Sequence, residues 1–104
     1  MRQGEIWVAN HLAGILEEGE DGYTFTYSDK YLKSNNPLPV SLTLPLQTES
    51  YKSETLFPFF DGLIPEGWLL DVAHQNWKLN PRDRMGLLLK TCRDCIGNIS
   101  VIEI

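Results

Sequence analysis

The chain has 104 residues, of which 42% are hydrophobic and 11% aromatic, so it can bury one core without disulfides or bound metals. Its formal net charge is −5, and no stripe of lysine and arginine offsets the acidic surface, which argues against direct nucleic-acid binding. Residues 1–20 contain no uninterrupted apolar h-region, so we expect no signal peptide, and the apolar runs of the sequence fall short of the ~18 residues of a membrane span. We therefore expect a single domain over residues 1–104, located in the cytoplasm and without a membrane partner.

The first quarter of the sequence predicts three antiparallel strands. Residues 5–10 and 12–18 are β-prone runs that meet at an Asn-His pair, and Asn tolerates the positive φ of a tight hairpin turn. Residues 23–28 alternate aromatic side chains with threonines, which is the pattern of a half-buried strand. Glycines and acidic residues separate the second run from the third. The economical arrangement is a β-meander.

The middle of the chain predicts a connector, a fourth strand and a loop. Residues 29–39 are polar and contain proline, which favours a connector with one helical turn. Residues 40–46, VSLTLPL, alternate apolar and polar side chains, so they predict a strand with Pro45 at its end or on an edge. Residues 47–55 are polar throughout, and we expect them to form a solvated loop.

The second half changes to a helical period. A helix is predicted from Leu63 to Leu79, with Pro65 at the first helical position. A second helix is predicted to begin with Asn80 as its N-cap, to carry Asp83 in its first turn and to bury Met85 and the leucines that follow. Residues 97–104 predict a closing strand. The fold class is therefore α+β, with an antiparallel sheet packed by two helices of the C-terminal half.

Residue types that carry chemistry occur without a recognisable arrangement. Cys92 and Cys95 form a C-x-x-C that follows a helix, unlike a redox pair, and a zinc site would need His11 and His74 from distant segments. Residues 17–21 are rich in acids, which is more typical of a solvated turn than of a metal site. We predict no catalytic residue, no cofactor site and no metal site, and we interpret both cysteines as structural.

Trp68 raises the question of what its side chain contacts. On a helix over residues 65–78, Trp77 shares an apolar arc with three aliphatic residues, whereas Trp68 points away from that arc. Trp68 is either covered by a neighbouring loop, such as residues 47–55, or it is an aromatic anchor for another protein. The predicted partner-binding face consists of Trp68, Asp71, Val72 and Gln75.

Three ordered segments resemble the N-terminal subdomain of the HipA family of toxin kinases. They are PLPVSLTLPL at 37–46, FFDGLIPEGW at 59–68 and LLLKTCRDCIGNISV at 87–101. The hairpin WVANHLAGIL at 7–16 is similar to the opening hairpin of the family. The resemblance covers essentially the whole chain and implies the fold of that subdomain.

The resemblance also implies a function. Kinases of the family are much longer, so a chain of this length is similar to the HipS antitoxins of three-component HipBST systems. A HipS-like protein binds and inhibits a HipT-like serine/threonine kinase, and a HipB-like DNA-binding protein is the third component. Cys92 and Asn98 depart from the family pattern, which has Gly and Ala there. Since only Cys95 matches that pattern, the resemblance implies that the C-x-x-C is incidental.

Two alternatives stay open. The chain is a structural subdomain cut from a HipA-type kinase, or it is an independent small enzyme. The start at Met1 and the end directly after the last predicted strand favour a natural open reading frame. A small enzyme would require convergent titratable groups in a pocket, and the sequence predicts none.

Overall fold

A computed structural model describes residues 2–64, 83–91 and 99–104. The described residues form a five-stranded antiparallel sheet with the strand order β4-β3-β2-β1-β5. The strands are β1 (Arg2–Val8), β2 (His11–Gly19), β3 (Gly22–Tyr27), β4 (Tyr51–Ser53) and β5 (Ile99–Glu103), and the helices are α1 (Asp29–Leu32), α2 (Pro58–Asp61) and α3 (Arg84–Thr91). This architecture confirms the predicted α+β class with its closing strand. In the described ranges no helix is long and apolar enough to cross a membrane.

The predicted meander is confirmed, but its first turn lies one residue earlier than expected. Ala9 and Asn10 connect β1 to β2, and their φ angles of 49° and 68° are both in the left-handed region. Positive φ at both central residues is typical of the mirror-image turns that fit the twist of a hairpin. His11 is therefore the first residue of β2, paired with Val8, rather than part of the turn.

The core lies on one side of the sheet. Each strand turns alternate residues to that side, so Ile6, Leu16, Phe25 and Val101 are all fully buried. At Gly14 the backbone of β2 lies close to residues of β3. A Cβ at this position would clash with the Thr26 carbonyl oxygen and come within 3.0 Å of the Phe25 ring. A side chain at that position would push the third strand away.

Phe60 on α2 fills the centre of an aromatic cluster. Its ring is fully buried, and it packs edge-to-face on Phe25 at 5.4 Å, Phe59 at 5.3 Å and Phe57 at 6.0 Å between ring centroids. Pro58 occupies the first turn of α2, where its missing N–H costs no hydrogen bond. The aromatic cluster therefore fixes α2 against the sheet.

Two predictions for the middle of the chain are wrong. Residues 40–46 form a tight turn with one isolated bridge, between Ser41 and Leu44, instead of a strand. Residues 51–53, expected to be solvated loop, form β4 and pair with β3. The single helical turn expected in residues 29–39 is confirmed as α1.

The C-terminal helix begins later than predicted. α3 starts at Arg84, so Asp83 precedes the helix instead of lying in its first turn. The predicted core face is confirmed, since Met85, Leu87, Leu88 and Leu89 are all buried. The helix predicted over residues 63–79 lies outside the described residues from position 65 onward.

Candidate partner-binding surface

The predicted partner-binding face lies outside the described residues. This applies to Trp68, Asp71, Val72 and Gln75, and equally to His74 and to both cysteines. The face remains a prediction. Within residues 2–64, 83–91 and 99–104, no group of three or more His, Cys, Asp or Glu side chains is placed to hold a metal ion.

Arg2 is the centre of a charged cluster that joins the sheet to α3. Its guanidinium donates to both carboxylate oxygens of Glu18, its cross-strand neighbour on β2, at 2.7 and 2.9 Å. It also donates to both carboxylate oxygens of Asp83, at 2.6 and 2.7 Å. These two bidentate contacts raise the pKa of Arg2, and the Arg2 contact lowers the pKa of Asp83. The cluster attaches the start of α3 to the first two strands.

Asp83 also caps α3. Its Oδ1 accepts a hydrogen bond from the Gly86 N–H at 3.1 Å. Its carbonyl oxygen accepts the i→i−4 hydrogen bond from the Leu87 N–H at 3.0 Å. A Cβ at Gly86 would collide with the Asp83 carboxylate, so glycine leaves room for the cap and for Arg2 beside it. We interpret the cluster as structural, because Asp83 binds Arg2 on the sheet and caps α3 with the same carboxylate.

Two variants separate the charge of Asp83 from its cap. Asn caps a helix as well as Asp does, so Asp83→Asn is expected to lower the free energy of unfolding by less than about 1 kcal/mol. Asp83→Ala loses both the ion pair with Arg2 and the side-chain cap, and it is expected to lower the free energy of unfolding by about 1–2 kcal/mol. The folded-state pKa of Asp83 lies below its ordinary 3.8, so its charge stabilises the fold above that pH. The stabilisation is lost as the pH falls through the folded-state pKa.

Urea unfolding at pH 7 and at pH 3 tests both parts. The difference between the wild type and Asp83→Asn should shrink at pH 3, whereas the cost of losing the cap in Asp83→Ala should persist. An Asp83→Asn difference that stays constant over this range would contradict the role assigned to the Asp83 charge.

A second feature is an ordered loop that tyrosine hydroxyls bind, and we call residues 37–46 the tyrosine-bonded loop. The buried Tyr27 hydroxyl accepts the Val40 N–H at 3.0 Å and donates to the Leu44 carbonyl oxygen. Burial raises the pKa of Tyr27 above the ordinary tyrosine value. One side chain from β3 thus satisfies two buried backbone groups on opposite sides of the turn.

Two further tyrosines bind the ends of the tyrosine-bonded loop. The Tyr31 hydroxyl accepts the Leu38 N–H at 3.1 Å and donates to the Leu38 carbonyl oxygen at 2.6 Å. The Tyr51 hydroxyl donates to the Pro45 carbonyl oxygen at 2.5 Å. The Tyr31 ring stacks on Tyr27 with 6.3 Å between centroids. The loop is therefore held at its start, its middle and its end.

Both backbone and side-chain hydrogen bonds stabilise the turn at the tip of the loop. The Leu44 N–H donates to the Ser41 carbonyl oxygen at 3.1 Å, which closes a four-residue β-turn. The Ser41 Oγ accepts the Thr43 N–H at 3.2 Å and lies 3.0 Å from the Thr43 hydroxyl. Val40 and Leu44 are buried on either side of the turn, whereas Leu42 between them is 96% exposed.

The exposed leucines of this loop were not anticipated from the sequence. The alternating pattern places Leu42 on the same face as Val40 and Leu44, but the β-turn reverses the chain between them and turns Leu42 to solvent. Leu38 is 60% exposed at the start of the loop. A usable signal was present, because residues 34–48 contain no charged residue although 22% of the chain is charged.

The comparisons with known proteins identify the family. The family model described as the HipA N-terminal domain matches residues 4–102. The chain belongs to the HipA N-terminal domain family. The fold agrees, because a solved structure entitled "N-terminal domain of HipA toxin" superposes with a TM-score of 0.75 and 27% identity over 100% of this chain and 93% of that chain. The resemblance seen in the sequence is thereby confirmed.

Two relatives place the HipA N-terminal domain in proteins of different length. An uncharacterized protein of Haemophilus influenzae is 29% identical over 103 residues, which is 99% of this chain and 93% of that protein. The putative kinase Y4mE of Sinorhizobium fredii is 29% identical over 98 residues, which is 93% of this chain but 23% of the kinase. The matched region is the N-terminal domain of the family and excludes the kinase domain.

Proposed function

We propose that this chain is an antitoxin that binds and inhibits a HipA-like (HipT) serine/threonine kinase. A HipB-like DNA-binding protein would complete the three-component system, and the complex would act in the cytoplasm. The observation that carries the proposal is the pair of relatives described above. The same domain fills 93% of one protein and 23% of a putative kinase. A domain that occurs both alone and joined to a kinase is suited to bind that kinase as a separate chain.

Inhibition would follow from binding and would require no catalysis by the chain itself. A domain of this family that binds a separate kinase would need an apolar surface with a few large side chains, since such residues supply most of the binding energy of an interface. We place Trp68, Asp71, Val72 and Gln75 on that surface, with the indole of Trp68 directed toward the active-site cleft of the kinase. Occupation of the cleft would stop phosphoryl transfer.

The test is a kinase assay with the separately purified HipT-like kinase that the proposal predicts as the partner of this chain. Wild-type chain is expected to inhibit phosphorylation, and Trp68→Ala is expected to weaken inhibition about 30-fold, which corresponds to an interface residue worth about 2 kcal/mol. Trp7→Phe is the matched control, because Trp7 lies on β1 and is part of the sheet. Its inhibition constant should equal that of the wild type.

The possible outcomes separate the surface from the function. If Trp68→Ala inhibits as well as the wild type, the assigned face is wrong while the antitoxin function stands. If the wild type neither binds nor inhibits the kinase, the antitoxin function itself is wrong.

The match to Y4mE also supports a second candidate function. The chain would then be a non-catalytic structural subdomain of a HipA-type kinase, since the matched region forms 23% of that putative kinase. Co-expression distinguishes the two. An antitoxin relieves the growth arrest that the kinase causes when the two are made as separate chains, whereas a structural subdomain leaves the arrest unchanged.

A further inference from the structure

The tip of the tyrosine-bonded loop combines full exposure with a fixed backbone. Leu42 is 96% exposed, yet Val40 and Leu44, two residues away on either side, are buried, and the turn that carries Leu42 is closed by backbone and side-chain hydrogen bonds. An exposed leucine on a mobile loop would lose backbone freedom on binding. This leucine has already lost it on folding, so binding through Leu42 carries a smaller entropy cost.

The surroundings of Leu42 restrict the kind of surface it fits. Residues 34–48 are uncharged in a chain whose net charge is −5. Nucleic acid and anionic lipid surfaces attract basic residues, and this stretch offers none. The loop therefore suits an uncharged apolar pocket on a folded protein.

A second copy of the chain is a poor match for the exposed turn. A stable interface buries about 800 Å² on each partner. Leu42 and Leu38 are the exposed apolar side chains of this loop, and serine, threonine and proline surround them. Two exposed leucines bury far less area than a stable dimer of this turn against itself would need. The turn therefore suits one contact within a larger interface.

We propose that the tyrosine-bonded loop is a docking element for the HipA-type kinase, with Leu42 inserted in an apolar pocket of that kinase. The inference rests on the proposed function and adds a contact site to it. In Y4mE the matched domain accounts for 23% of a putative kinase, so the rest of that polypeptide is a permanent neighbour of the domain. We therefore assign the uncharged turn to a kinase surface.

The experiment measures binding of the purified chain to the purified HipT-like kinase proposed as its partner, by titration calorimetry. Leu42→Asp is expected to weaken binding about tenfold or more, because a carboxylate would enter an apolar pocket. Leu42→Met keeps an apolar side chain of similar size and should bind as the wild type does. Ile104→Asp introduces the same charge at a residue that is 66% exposed beyond β5, at the opposite edge of the sheet from β4, and should also leave binding unchanged.

Folding does not confound this test, because Leu42 is 96% exposed and its substitution leaves the buried core unchanged. The melting temperature of Leu42→Asp should therefore equal that of the wild type. If Leu42→Asp binds the kinase as tightly as the wild type does, the docking element is wrong and the antitoxin function stands. If the wild type fails to bind the kinase, both proposals are wrong. If size-exclusion chromatography shows a wild-type dimer that Leu42→Asp converts to monomers with kinase binding unchanged, the turn serves self-association instead.

Discussion

Phe60→Ala is expected to lower the free energy of unfolding by about 3–5 kcal/mol. The ring is fully buried and makes edge-to-face contacts with three other phenylalanines, so its removal leaves a cavity between α2 and the sheet. Small domains are stable by about 5–15 kcal/mol, and the variant would lose a large share of this. Urea unfolding followed by circular dichroism measures the loss.

Phe59→Ala is the matched control for this prediction. Phe59 is the preceding residue of α2 and has the same chemistry, but its side chain is only partly buried. Its truncation should cost clearly less than that of Phe60. Equal losses for both variants would show that the helix itself, rather than the cavity under Phe60, determines the stability.

Tyr27→Phe is expected to cost about 2–4 kcal/mol although it removes one oxygen atom. The Tyr27 hydroxyl binds the Val40 N–H and the Leu44 carbonyl oxygen, and both residues are buried. Each buried backbone group that loses its partner costs about 1–3 kcal/mol. The loss is measured by urea unfolding, and hydrogen exchange at the Val40 amide should become faster than in the wild type.

Tyr51→Phe provides the comparison for Tyr27. The Tyr51 hydroxyl makes one exposed hydrogen bond, to the Pro45 carbonyl oxygen, which water replaces when the hydroxyl is removed. We expect a cost below about 1 kcal/mol. If Tyr27→Phe lowered the free energy of unfolding by as little as Tyr51→Phe, water would have to reach the backbone groups of Val40 and Leu44. The loop would then not depend on the buried hydroxyl.

The strands of the meander were predictable because burial on one side of a sheet imposes a period of two. Phe25 and Tyr27 face the core as their alternation predicts, and Val101 does so on the closing strand. The same period misleads at residues 40–46. There the alternation arises because Val40 and Leu44 are buried on the two sides of a turn, and the tyrosine that binds both lies on another strand. A local pattern carries no information about such a partner.

Other differences between prediction and structure also have tertiary causes. β4 is three residues long and polar, so its strand geometry comes from pairing with β3 and not from its own propensity. α3 begins at Arg84 because Asp83 is held by Arg2 from the other end of the sequence. For the candidate site, the sequence predicted the face of Trp68. The uncharged stretch at residues 34–48 was a signal for the loop, but the exposure of Leu42 depends on the β-turn, which the alternating pattern does not predict.

The position of β1 between β2 and β5 has a consequence for how the domain is made. Gly4 pairs with Glu103, so the first and last strands are neighbours, and the sheet is completed by contacts between residues almost a whole chain apart. During synthesis one edge of β1 stays open until β5 leaves the ribosome, which makes folding late and slow relative to a helical domain of this size. The same adjacency brings the first and the last strand of the domain together, a geometry that tolerates circular permutation.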